Sequence, residues 1–172
     1  MSTEETSPRF TAPVAVAYLK ERVYVAFTGL AIVLVLYNAP GHQDGAHAFA
    51  VLLSGLLGVA VAAFASDVIA HLAVHRHFPH GSELRHLLRS TLGALSTAVV
   101  PLILIALAWA DVLDLSTALI LSAYLYIAIL GTVGWLAVRR SHLSGGQKLA
   151  AFAMLVALAL VVLLIQIFAH GH

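Results

Sequence analysis

Asp67, His71 and His75 recur at a spacing of four where a long apolar stretch meets a polar loop. Residues at i, i+4 and i+8 share one face of a helix. One carboxylate and two imidazoles therefore form a ladder, and His77, His80 and His86 continue it into the following loop and the next apolar segment. Two chemistries suit such a ladder. Carboxylate oxygen and imidazole nitrogen are good ligands for Fe²⁺, Mn²⁺, Zn²⁺, Co²⁺ or Ni²⁺. Alternatively, histidines titrating near a pKa of about 6.5 and a desolvated aspartate pass protons. A plainer reading is a set of interfacial histidines in a headgroup region, with Asp67 paired to a polar neighbour. Asp67 is the only ionisable residue clearly inside an apolar segment, where a charge costs about 2.5–3.5 kcal/mol at mid-helix. A second group, His42, Asp44 and His47 with His170 and His172, reads as solvated loop chemistry, as does His142 alone.

The elements that position the ladder follow from composition. Of 172 residues, 61% are hydrophobic and only 10% charged, and the mean hydropathy is +0.97. Soluble domains carry about a quarter charged residues, so this chain has too little polar surface to cover itself and is expected to be an integral membrane protein. A net charge of +1 leaves no basic patch for a phosphate backbone, so no nucleic-acid partner is expected. Without cysteine, thiolate metal sites, thiol catalysis and disulfides are excluded. No phosphatase, protease or lipid-transferase motif points to an enzyme.

A spanning helix needs about 20 mostly apolar residues. The hydropathy pattern predicts five: Val23–Tyr37, which the amphipathic Val14–Leu19 extends, then Ala46–Ala70, Thr91–Ala110, Leu115–Val138 and Leu149–Ala169. The expected fold is an all-α five-helix membrane bundle, with 1–12 a loose tail and 13–172 a single domain. Arg9, Lys20, Arg22, Arg76, Arg85, Arg89, Arg139, Arg140 and Lys148 all fall on one side of it, whereas the opposite loops hold Asp44, Asp111 and Asp114. Positive residues stay inside, which places the N-terminus in the cytoplasm and the C-terminus outside. A bacterial inner (plasma) membrane is the expected location.

Lipid tails do not drive helices together, so close backbone approach must. Ser54, Gly58, Ala62 and Ser66 form a small-residue stripe expected to press against another helix. Gly131 and Gly134 are expected to pack the fourth span. Pro101 lacks the N–H that would bond the Thr97 carbonyl, which predicts a kink there.

This layout resembles the vacuolar iron transporters and their relatives. Phe27-Thr28-Gly29-Leu30 looks similar to the family's Asp-Gly pair in the first span, with Thr28 in place of the aspartate. Ser66-Asp67-Val68 falls where that family has Gly-Glu-Tyr, so Asp67 matches the glutamate, and Gly93-Ala94 with Pro101 is similar to the small-residue segment of its third span. No Met precedes Asp67, and the short His75–His86 region stands where the family has a Glu-rich extension. The resemblance implies five spans, a homodimer and transport of a divalent metal.

The ladder and the layout together lead to an expectation. The chain is a divalent transition-metal transporter or metal-binding membrane protein, exchanging the ion for protons. Asp67 is the intramembrane ligand and proton acceptor, His71 and His75 are ligands, and His77, His80 and His86 form a collecting loop. The alternative is a non-transporting accessory subunit in a larger membrane complex.

Overall fold

The computed structural model describes residues 12–39 and 44–139, with isolated helical positions at 146, 150 and 153. The leader, His42, His142, His170, His172 and nearly all of the expected span 149–169 lie outside the described residues.

Everything ordered among the described residues is helical. Helix α1 covers Ala12–Asn38 and α2 covers Gly45–His75. A third rod is broken into α3, Ser82–Leu95, a 3₁₀ turn at Ser96–Ala98, and α4, Val99–Trp109. Helix α5 covers Leu115–Arg139. Three of these rods, Gly45–His75, Ser82–Trp109 and Leu115–Leu136, are long and apolar enough to cross a membrane. In α1 the helix starts eleven residues ahead of the apolar run, because nothing in Pro13–Arg22 breaks a helix once its proline sits in the first turn.

Two of the three loop acids, Asp44 and Asp114, are helix caps. Asp44 Oδ1 accepts from the His47 N–H at 2.6 Å at the start of α2. Asp114 Oδ2 accepts from the Thr117 N–H at 3.1 Å and from the Ser116 hydroxyl at 2.6 Å at the start of α5. Carboxylates there satisfy N–H groups that have no partner within the helix.

The third rod breaks where its proline demands. Pro101 cannot supply an N–H to the Thr97 carbonyl, and the 3₁₀ turn contains Thr97. The Ser96 and Thr97 hydroxyls donate back to the carbonyls of Gly93 and Ala94 at 2.6 and 2.8 Å. Local bonds of that kind bend helices.

Helix α1 packs against α2, α3 and α5, while α2 also meets α3 and α4, and α4 meets α5. Val25, Ala26, Leu30 and Val33 of α1 are buried with Leu52 and Leu56 of α2, Ile105 of α4 and Tyr126 of α5. Two glycines allow backbones or rings to approach. A Cβ at Gly29 would collide with the Tyr126 ring, and one at Gly45 would lie 2.5 Å from the Trp109 backbone.

The described helices of the chain leave the small-residue stripe uncovered. Among the described residues Ser54, Gly58, Ala62 and Ser66 are all exposed, and nothing lies within 4 Å of a Cβ built at Gly58. The face that α2 buries is Ala48, Leu52, Leu56 and Ala60 instead. Helix α2 is apolar on every side, so small residues mark where a backbone is able to approach, not where one does. Gly131 is likewise exposed with no neighbour within 4 Å.

Candidate metal centre at the turn between α2 and α3

Six residues, Arg76 to Gly81, reverse the chain between α2 and α3. Arg76 ends α2 in the left-handed conformation, φ 60°, and its N–H closes the last turn on the Leu72 carbonyl at 2.9 Å. Gly81, φ 45°, then opens α3, and Pro79 is buried between. The reversal sets the last two turns of α2 beside the first turn of α3.

That first turn carries Glu83. A carboxylate is favoured at a helix N-terminus, and Glu83 Oε2 accepts from the His80 N–H at 3.2 Å. Glu83 lies ahead of the apolar run that begins at Thr91. The His80 hydrogen bond holds its carboxyl below the usual carboxylate range.

His71 Nε2 stands 3.4 Å from the same Glu83 oxygen. This nitrogen is buried and has no hydrogen bond. His77 joins them, so that one donor atom each from His71, His77 and Glu83 lie within 4.8 Å of one another. His77 Nδ1 is 3.0 Å from the Phe78 carbonyl. A carbonyl only accepts, so Nδ1 carries the proton in the neutral ring and Nε2 keeps its lone pair. Metal-bound histidines are commonly oriented by a hydrogen bond of this kind on the other ring nitrogen.

Other rings surround the trio. The His75 ring is 4.5 Å from that of His71 and 5.9 Å from that of His77, and the His80 ring is 5.6 Å from that of His77. Metal–nitrogen and metal–oxygen bonds of about 2.0–2.1 Å in a tetrahedron place neighbouring donors about 3.4 Å apart. The His71–Glu83 separation already has that value. The most distant donors would close by at most about 1.5 Å to match it, and His77 is exposed on a turn and able to rotate.

The structure thus brings together four of the six residues expected from sequence: His71, His75, His77 and His80. It leaves two apart. His86 is exposed on α3 outside the donor group. Asp67 faces a different environment, a cleft shared with Lys20, Glu21 and Tyr24 of α1. Sequence reasoning missed Glu83. Its signal was present: an acid at the start of a helix, one short turn away from a histidine pair at i and i+4.

Comparisons of the chain with protein-family models, with curated proteins and with solved structures find no match.

Proposed function

We propose that the chain is a multi-span membrane protein that binds a divalent transition metal at its α2–α3 turn and passes it across the bilayer, with proton exchange. The observation that carries this reading is the buried, unbonded His71 Nε2 at 3.4 Å from Glu83, with His77 beside them. Two neutral imidazoles and one carboxylate suit Zn²⁺, Fe²⁺ or Mn²⁺ and leave a fourth position for water or for a neighbouring histidine. Protons must leave imidazole and carboxyl groups when metal binds, which links the two ions. The full reading has five spans with the N-terminus, the α2–α3 turn and the basic residues in the cytoplasm, in a plasma membrane of bacterial type. It also has two chains paired about a two-fold axis, on a scaffold resembling the vacuolar iron transporters. His75 and His80 hand the ion toward the trio.

Purified protein should hold metal that elemental analysis detects after equilibration with Zn²⁺, and His71→Ala with His75→Ala should lose it. In proteoliposomes, Asp67→Asn should slow uptake. No saturable binding by the wild type, with uptake unchanged in Asp67→Asn, would overturn the reading.

The small-residue face of α2, uncovered among the described residues, favours a second reading, an accessory subunit packed against a larger membrane complex. Constant co-purification with large membrane subunits, without metal, separates it from the first.

A further inference from the structure

Glu21 is charged by type, belongs to a helix packed in the bundle, and is only 3% exposed. It lines a cleft between α1 and α2 of about 230 Å³, with Lys20, Tyr24, Ser66 and Asp67 among the other lining residues. Among the described residues no hydrogen bond and no ion pair within 4 Å reaches the Glu21 carboxylate. Burying such a group is costly unless something compensates it. Glu21 stands ahead of the apolar run of α1, and burial pushes its carboxyl above the usual range. Asp67 adds to that shift and Lys20 opposes it. One ammonium faces two carboxyl groups in the cleft, so an entering cation would find a second carboxylate to neutralise it.

We propose that this cleft is a second cation site, distinct from the histidine turn, in which Glu21 and Asp67 hold a hard divalent cation through oxygen alone. The donors are two carboxylates, with the Ser66 hydroxyl and the Tyr24 phenol as the other oxygens of the lining. Oxygen donors select Mn²⁺, Mg²⁺ or Ca²⁺, whereas the imidazoles of the turn select borderline ions. A water molecule occupies about 30 Å³, so the cleft takes an ion together with several of its waters. Lys20 is exposed and able to turn toward solvent when the ion enters. The site needs no metal at the histidine turn and stands independently of that assignment.

The test uses the full chain in nanodiscs and follows free Mn²⁺ by electron paramagnetic resonance. The background is His71→Ala with Glu83→Gln, which disables the turn. That protein should still bind one Mn²⁺ per chain. Adding Glu21→Gln, or Asp67→Asn should Glu21→Gln fail to fold, should weaken binding at least tenfold. Lys20→Gln should strengthen it, because a repelling charge is removed. Zn²⁺ binding at the turn of the otherwise wild-type protein should be unaffected by Glu21→Gln. Absence of Mn²⁺ binding in the background protein, or binding that survives both carboxylate substitutions, would overturn the proposal.

Discussion

His71 and Glu83, twelve positions apart, meet at 3.4 Å because six residues fold the start of α3 back onto the end of α2. The contact joins an imidazole nitrogen, buried and without a hydrogen bond, to a carboxyl that the His80 N–H of the turn holds below the usual range. An ordinary hydrogen bond would bring the two closer. At 3.4 Å the two form an ion pair when His71 is protonated, and the same separation fits the edge of a tetrahedron around a metal ion.

Ligand substitutions at this turn should therefore separate by position and not by residue type. His71→Ala, His77→Ala and Glu83→Gln are each expected to weaken Zn²⁺ binding at least tenfold by titration calorimetry, while His86→Ala stays within twofold. Affinity should fall as the pH is lowered, since protons compete for the same nitrogens. Equal losses for His86→Ala and His77→Ala would mean that the whole loop collects ions diffusely and that no defined centre exists.

A second expectation concerns the core. The Tyr126 ring occupies the space where a side chain at position 29 would stand, and its hydroxyl is buried without a hydrogen bond among the described residues. Gly29→Ala should destabilise the bundle by about 1–3 kcal/mol through overpacking. Tyr126→Phe removes one of the colliding atoms and an unsatisfied polar group, so the double variant should recover part of the loss. Thermal denaturation in detergent reads both. Strict additivity of the two substitutions would show that the contact is not the cause.

Much of this architecture is legible in the sequence because it depends on local chemistry. The start of α2, the break in the third rod and the limits of α5 follow from apolar length, from Pro101 and from the capping acids. Helix α2, however, runs past the expected Ala70 to His75, and the third rod starts at Ser82, ahead of the expected Thr91. What was not legible depends on how helices are rotated about their own axes. Helix α2 is apolar all round, so its pattern does not reveal whether Ser54–Gly58–Ala62–Ser66 or Ala48–Leu52–Leu56–Ala60 turns inward. For the same reason Asp67 read as the first rung of the histidine ladder, although the structure sets it beside Glu21 of α1. Glu21 itself was hidden among Lys20 and Arg22, where a charge reads as solvated.

Asp114 gives a pH-dependent expectation outside the membrane segments. The hydrogen bonds from the Ser116 hydroxyl and the Thr117 N–H hold its carboxyl below the usual carboxylate range. A carboxyl whose folded-state pKa is depressed stabilises the fold fully above its unfolded value, about 3.9, and loses that contribution as the pH falls through the lower folded value. The melting temperature of Asp114→Ala should therefore lie below that of the wild type at neutral pH, and the gap should close below about pH 4. A gap independent of pH would show that the carboxylate charge contributes nothing at this cap.

The exposed stripe on α2 yields the last expectation, and it separates folding from assembly. Among the described residues nothing lies within 4 Å of a Cβ at Gly58, so the first side-chain atom of a leucine there meets no neighbour in its own chain. Gly58→Leu should leave the melting temperature of the monomeric bundle unchanged. Pairing through the stripe, however, requires close backbone approach, which is what small residues at a spacing of four permit. A leucine side chain at its centre holds two such helices apart. Two-fold pairing is the commonest closed symmetry for a single chain, and it would bring the two Gly58 positions face to face near the axis. Wild-type protein should then migrate as a dimer in mild detergent by light scattering, and Gly58→Leu should shift it to monomer, with Leu52 and the rest of the buried face undisturbed. A dimer that survives Gly58→Leu would place the interface elsewhere. A drop in melting temperature would mean that the stripe is already covered within the chain.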